Sequence, residues 1–384
     1  MDSTLPTSAE VLAHADGWVE HTAAALWPGS AVLLGPHVPS VTAYVRRIEV
    51  DRRPLFAKVS VLGVSLVSVL RGTCGTWPQV KTRQAAYTTT PGGLLERETL
   101  QYGILHTAGL KAPRIAGYAD GVLFTEPITG PTLADLIVKR PERTADLLAA
   151  VTGELDALAE PGARALATAA AIPERSIAAT FGRKFNGLSA ASYLALCQPV
   201  APVLEKVVAR LLRLRPSAAH SARRVIFGDL KPEHALFPDP AGGRPVFLDP
   251  GLSLGHPATD TAKLISRLIL HLIAQPPDRA GLRRVTDGID AYTATQIRRI
   301  GPDDRKVWLR QLVTLWLMDT VNILTTYLTA PAGLPLPSHA LAVIERVGAV
   351  AVLLEETSAA LTCGADGPMV WQLALGHAVK AAAR

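Results

Sequence analysis

Cysteine is scarce in this chain of 384 residues: only Cys74, Cys197 and Cys363 occur, far apart and in no metal-ligand spacing. An odd, small number argues against a disulfide framework and for a reducing interior. Aromatic residues make up only 5%. Nucleic-acid binding would want a dense basic face with interleaved aromatics, and the arginines here are spread along the chain, so no nucleic-acid partner is expected. Long apolar runs are missing too. The longest, Val59 to Leu70, contains serines and is too short to span a bilayer. No basic segment precedes an apolar run in the first ten residues, so no signal peptide is expected. These absences together lead to the expectation of a cytoplasmic protein with no membrane partner.

What is present is apolar bulk, 48% of residues, in a length that suits two lobes sharing a cleft. The net charge of +6 is compatible with an anionic ligand such as a nucleotide, and equally with a surface that carries no message. Residues 8 to 27 have helical periodicity, with Val11, Leu12, Trp18, Val19 and Ala23 on one side. Three segments rich in β-branched and aliphatic residues follow, Ala31 to Leu34, Thr42 to Val50 and Leu55 to Leu62, and turn formers separate them. They predict an antiparallel meander. Arg71 to Gly93 holds six glycines or prolines and a threonine run, and reads as a long mobile loop, able to cover an acceptor or meet a protein partner. Leu94 to Ala108 reads as an amphipathic helix, and Ile115 to Tyr118 and Gly121 to Glu126 as two further strands. After Pro131 the pattern is overwhelmingly helical, apart from a β patch around 224 to 250. The expected fold class is α+β: a small antiparallel-sheet N-lobe over residues 1–130 and a large helical C-lobe over 131–384, hinged at Ile128 to Pro131.

Three acids stand out. Asp229 lies in Gly228-Asp229-Leu230-Lys231-Pro232-Glu233-His234, Asp249 in Val246-Phe247-Leu248-Asp249-Pro250-Gly251, and Asp260 ends Gly255-His256-Pro257-Ala258-Thr259-Asp260. The stretch between the first two reads as a hairpin with a turn at 239–243, carrying an acid at each base, so both carboxylates should face one cleft. Phosphoryl transfer needs such a pair: one carboxylate takes the acceptor's proton, the other holds magnesium against nucleotide phosphates. Two turn-forming acids without chemistry are the bland alternative.

This segment resembles the catalytic core of the aminoglycoside phosphotransferase and choline kinase family, the small-molecule branch of the protein-kinase-like fold. The resemblance implies a bilobal kinase fold, ATP and Mg2+ as cofactors, and a hydroxyl acceptor. It implies Asp229 as catalytic base, Asp249 as magnesium ligand and Asp260 as a brace for the catalytic loop. In the N-lobe, Leu55-Phe56-Ala57-Lys58-Val59 looks like the strand whose lysine contacts the phosphates, with Glu98 as its ion-pair partner and Glu96 as the competitor. Val122 to Leu133 resembles the hinge that bonds adenine through its backbone, which puts Glu126 and Ile128 among the nucleotide contacts.

The pattern is broken in three places. Phe227 stands where the family has a histidine. His234 stands where an asparagine would hold a second magnesium, and imidazole is a poor ligand for that ion; His234 is a metal candidate with a structural histidine as its alternative. No Gly-x-Gly-x-x-Gly joins the first two strands. The leading expectation is an ATP-dependent O-phosphotransferase acting on a small molecule or natural-product intermediate. The alternatives are a kinase for Ser or Thr of a ribosomally made peptide of lanthipeptide or thioamitide type, preceding dehydration, and a pseudokinase scaffold that binds nucleotide or a partner without transfer. The basic late helices speak against polycationic aminoglycosides as acceptors.

Overall fold

The computed structural model describes residues 5–187, 189–214, 223–240, 243–298 and 300–383. The fold is α+β and bilobal, with a small antiparallel-sheet N-lobe and a large helical C-lobe. Helix α1 (Ser8–Leu26) starts at a capping box: Thr7 accepts from the Glu10 N–H, and the Glu10 carboxylate accepts from that of Thr7. Its buried residues Val11, Ala15, Val19 and Ala23 form one stripe. Strands β1 (Val32–His37), β2 (Tyr44–Val50) and β3 (Arg53–Val59) form the meander. Asp51 and Arg52, both at positive φ, make the two-residue turn between β2 and β3, the twist such hairpins favour. With β4 (Ile115–Ala119) and β5 (Val122–Thr125) the sheet order is β1-β2-β3-β5-β4. Alternation along β3 buries Leu55, Ala57 and Val59 on one face and leaves Lys58 on the other.

The loop expected over 71–93 is corrected by the structure. A short helix α2 (Leu66–Leu70) precedes it, and α3 (Trp77–Thr89) occupies most of it. The N–H of Thr76 donates to Gln79 Oε1, closing the first turn of α3. Trp77, Val80 and Gln84 are the buried face. The Gln84 amide ties that face to the end of β3, accepting from Leu62 N–H at 2.6 Å and donating to the Ser60 carbonyl at 3.2 Å. The Gly, Pro and Thr content masked a helix whose buried stripe includes a glutamine.

Helix α4 (Leu94–Thr107) lies between the lobes. The C-lobe runs through α5 (Leu133–Lys139), α6 (Thr144–Glu154), α7 (Pro161–Ala169), a 3-10 turn at Pro173–Arg175, α8 (Ile177–Phe185), α9 (Ser189–Ala195) and α10 (Ala201–Leu214). A β patch follows: β6 (Arg224–Ile226) pairs with β9 (Ser253–Gly255), and β7 (Ala235–Leu236) with β8 (Val246–Phe247), all antiparallel. The turn predicted at 239–243 is described only in part, since 241 and 242 lie outside the described residues. Helices α11 (Thr259–Ala274), α12 (Arg279–Ile297), α13 (Pro302–Leu328), α14 (Ser338–Glu345), α15 (Val347–Thr362) and α16 (Gly367–Ala383) complete the lobe. The core of the C-lobe lies around α11 and α13, both buried along most of their length. Among the described residues no helix is long and apolar enough to cross a membrane.

Candidate active site

The floor of the cleft is built by the turns on either side of the β7–β8 hairpin. Gly228, at φ +80, brings the chain against the segment after β8; a Cβ there would lie 2.2 Å from the Gly251 carbonyl oxygen. The Gly251 N–H donates back to the Phe227 carbonyl at 2.9 Å. Asp260, at the start of α11, accepts from the N–H groups of Phe227 (2.7 Å) and Gly228 (2.8 Å), so it fixes the backbone just before Asp229. Asp249 itself sits at φ +52, a conformation that non-glycine residues adopt at a cost and that clusters at functional sites.

Lys58 is brought between two carboxylates: its Nζ lies 2.8 Å from Glu98 Oε1 and 2.8 Å from Asp249 Oδ1. Glu98, rather than Glu96, is therefore the partner; Glu96 accepts from the Gly92 N–H at the start of its own helix. Asp229 is held by two further lysines, Lys263 at 2.6 Å and Lys231 at 2.9 Å. His234 lies between the two aspartates. Its Nδ1–H donates to the Asp229 carbonyl at 2.9 Å, which leaves Nε2 as the lone-pair nitrogen, 3.7 Å from Asp249 Oδ2 and 3.4 Å from Lys231 Nζ.

These pairs form two groups, one around Lys58 and one around Asp229, with His234 between them. The cations Lys58, Arg175, Lys231, Lys263 and Arg267 meet the carboxylates Glu98, Asp229, Asp249 and Asp319, five against four. Burial alone would raise the Asp229 pKa, but Lys231, Lys263 and His234 hold it well below the usual carboxylate range. Asp249 is likewise held low against burial, chiefly by Lys58. His234 is depressed to about 4 by burial first and then by Lys231, so it is neutral at pH 7. Lys58 is raised by Asp249 and Glu98 in spite of burial, so it stays charged. Asp249, 39% exposed, is the most open of the four carboxylates.

The cleft holds residues that the sequence reading did not single out. Arg175, from the 3-10 turn, donates to Glu98 and to the Pro250 carbonyl (2.6 Å). Gln101 is completely buried; it accepts from the Leu252 N–H at 2.7 Å and donates to the carbonyls of Ala170 and Leu252. Tyr102 Oη accepts from the Asp249 N–H at 3.1 Å. Nothing in the residue types or spacing around 170–175 announced these contacts. Helical spacing from Glu98 would have flagged Gln101 and Tyr102 as sharing its face. Just after β5, the Glu126 N–H donates to the Arg114 carbonyl and its side chain pairs with Arg53 at 2.6 Å. Among the described residues, the Glu126 carbonyl and the Ile128 N–H have no hydrogen-bond partner in the chain.

The model of the phosphotransferase enzyme family (APH) matches residues 87–295, more than half of the chain, and takes in Glu98, Asp229, His234 and Asp249. The chain belongs to this phosphotransferase family. As a member it is an enzyme, a phosphotransferase with an alcohol group as acceptor. Among solved structures it is similar to Plasmodium vivax ethanolamine kinase, at 11% identity over 93% of both chains, with a TM-score of 0.45. It is also similar to a thermostable mutant of the aminoglycoside phosphotransferase APH(4)-Ia bound to AMP-PNP and hygromycin B, at 11% identity, 95% of this chain, 98% of that one and a TM-score of 0.41. LicA in complex with AMP is 14% identical over 88% of this chain and 98% of its own, with a TM-score of 0.43. No curated protein matches the chain.

Proposed function

We propose that this phosphotransferase moves the γ-phosphoryl group of ATP to a hydroxyl of a small molecule, with Asp229 as base and Asp249 as the magnesium ligand. The observation that carries the reading is the bridge of Lys58 between Glu98 and Asp249, on the same floor as Asp229. In this reading Lys58 holds the α- and β-phosphates, and Glu126 and Ile128 offer a free carbonyl and a free N–H to the adenine edge. The acceptor oxygen attacks the γ-phosphorus, the bond to the β-phosphate oxygen breaks, and the acceptor proton passes to Asp229. Positioning and electrostatic stabilisation supply most of the rate, so a base of low pKa is no obstacle.

The donor set fits magnesium that arrives with the nucleotide. Among the described residues no group of three or more His, Cys, Asp or Glu is arranged to hold a metal. Magnesium needs only one or two protein carboxylates when phosphates and water fill its other positions. Asp249 would supply one oxygen, and His234 Nε2 faces the same space as a weaker nitrogen donor. When bound, the ion would offset the negative charge of the phosphates.

Asp229→Asn should abolish turnover and leave nucleotide affinity near wild type, whereas Asp249→Asn should weaken magnesium-dependent ATP binding. Equal, mild effects from both changes would overturn the roles. A second reading, a nucleotide-binding scaffold, is favoured by one observation: both carboxylate oxygens of Asp229 are already engaged by lysines. Mass spectrometry of small-molecule and peptide hydroxyl acceptors after incubation with protein and Mg-ATP separates the readings. A nucleotide-stabilised protein that yields no phosphorylated product would be a scaffold.

A further inference from the structure

Two cations between the N-lobe insertion and the C-lobe lack what the others around the cleft have. Lys58, Arg175, Lys231, Lys263, Arg267 and Arg97 each pair with a carboxylate. Arg71, at the end of α2, and Lys184, on α8, bond only neutral groups among the described residues. The Arg71 guanidinium lies 4.1 Å from the centroid of the Tyr193 ring and donates to Thr329 Oγ1 at 3.2 Å, leaving four of its five N–H donors unused. Lys184 Nζ lies 5.6 Å from the same ring, donates to the Asn322 carbonyl at 2.6 Å and to Thr326 Oγ1, and is hydrogen-bonded to the Tyr193 hydroxyl, all neutral groups. Both side chains are only partly exposed. Burial lowers the pKa of Lys184, the Tyr193 hydroxyl opposes it, and the positive charges of Arg71 and Arg183 push it lower again. Gathering like charges in a half-buried place with no counter-ion costs free energy that the fold itself does not recover.

The position ties this cluster to the chemistry. Asp319, Asn322, Thr326 and Thr329 fall at helical spacing along one side of α13. Asp319 lies 3.9 Å from Lys263, which holds Asp229. Lys184 meets this stripe one to two turns on, and Arg71 meets its end, about 15 Å along the axis from Asp319. We propose that Arg71 and Lys184, set around Tyr193, form a subsite for an anionic group, a carboxylate or a phosphate, of the acceptor whose hydroxyl is phosphorylated. Its role as an acceptor subsite rests on the kinase reading of the Asp229 cleft; the anion site itself does not.

The test uses sulfate as the probe on the full chain, with and without saturating Mg-AMP-PNP so that the nucleotide site can be filled. Sulfate stabilises many proteins by exclusion from their surfaces, so the comparison is between variants at equal ionic strength. Wild type should bind sulfate by calorimetry and melt higher with it. Arg71→Gln and Lys184→Gln should each weaken binding about tenfold, the loss of one charge-assisted contact, while Arg71→Lys and Lys184→Arg should keep most of it. Melting without sulfate reports whether each variant folds. Equal sulfate binding in wild type and both Gln variants, or none in wild type, overturns the proposal. Sulfate binding that disappears once AMP-PNP is bound overturns it as well, since the anion would then sit in the nucleotide site. AMP-PNP affinity, read in the same samples, judges the cleft separately: sulfate bound without nucleotide affinity keeps the anion site and removes the kinase reading.

Discussion

Replacing Arg175 by alanine tests whether α4 is fixed to the C-lobe through Glu98. Two ion pairs of opposite order meet there: Arg97 and Glu98 on α4 face Glu174 and Arg175. They differ in burial. The Glu98 side chain is 0% exposed and that of Arg175 15%, against 23% for Arg97 and 28% for Glu174. Removing one partner of a buried pair costs about 3–5 kcal/mol when the other charge is left alone. Glu98 keeps Lys58, so a loss at or just below the lower end, about 2–3 kcal/mol, is expected. Glu174→Ala breaks the half-exposed pair and should cost about 1 kcal/mol or less. Urea denaturation of both variants measures the difference, and calorimetry with AMP-PNP measures its consequence. Nucleotide binding should weaken more in Arg175→Ala, because Lys58 is aimed by a Glu98 that has lost its second anchor. Equal stability losses in the two variants, or an Arg175→Ala protein with unchanged stability and nucleotide affinity, would refute the reasoning.

Gly228→Ala should fail to give a stably folded protein, because the new Cβ meets the backbone oxygen of Gly251 and φ is +80; Gly103→Ala, on α4 with nothing within 4 Å, should be neutral or stabilise by up to about 1 kcal/mol. Soluble yield and melting temperature decide both. His256, in the turn before α11, accepts from the Ala258 N–H through Nδ1 and is depressed to about 4 by burial and then Arg224. Its stabilising contribution is therefore fully present above the unfolded value of about 6.5 and is lost as pH falls toward 4, at most about 3 kcal/mol. His256→Gln should flatten the stability profile across that window, and an unchanged slope would contradict the assignment. Phe227→His restores the residue that related catalytic loops carry, yet it should destabilise by about 1–3 kcal/mol, since Phe227 is fully buried with its ring 5.6 Å from that of Phe247; a more stable variant on denaturation would show the site to be polar.

The parts of the fold that were legible are those where one signal dominates locally. A continuous apolar stripe gave α1, alternation with turn formers gave the meander, and Gly-Asp followed by a short hairpin gave the two acids of the floor. The helix over 77–89 was not legible because its stripe runs through Gln84, whose burial is compensated by two backbone groups far away in sequence. Arg175 was invisible for a related reason. Its partners Glu98 and Pro250 lie 77 and 75 residues away, and no local pattern encodes so distant a contact. Lys263 could have been flagged, since it falls three residues after Asp260 and shares its helix face, but nothing in the spacing says that it would reach Asp229.

The charge balance of the cleft bears on what its acceptor can be. A polycation approaching Asp229 would need carboxylates that are free to receive it. The ion pairs around Lys58 and Asp229 join five cations to four carboxylates, with Lys263 and Lys231 on both oxygens of Asp229, and Glu233, beside Lys231 and Arg267, is the one further exposed carboxylate there outside those pairs among the described residues. Along α13, Glu233 acts on Tyr327, and Lys184 and Arg71 add two cations that no carboxylate pairs among the described residues. A cationic sugar would meet Glu233 alone as an unpaired counter-charge, whereas an acceptor with a carboxylate or phosphate would meet the unpaired charges of Lys184 and Arg71. Membership of the phosphotransferase family fixes the class of reaction, and these residues favour an acceptor of the opposite charge to an aminoglycoside. Raising the salt concentration should then weaken acceptor binding, as screening removes an attraction, and an acceptor whose affinity rises with salt would show that the field at this end of the cleft has been assigned the wrong sign.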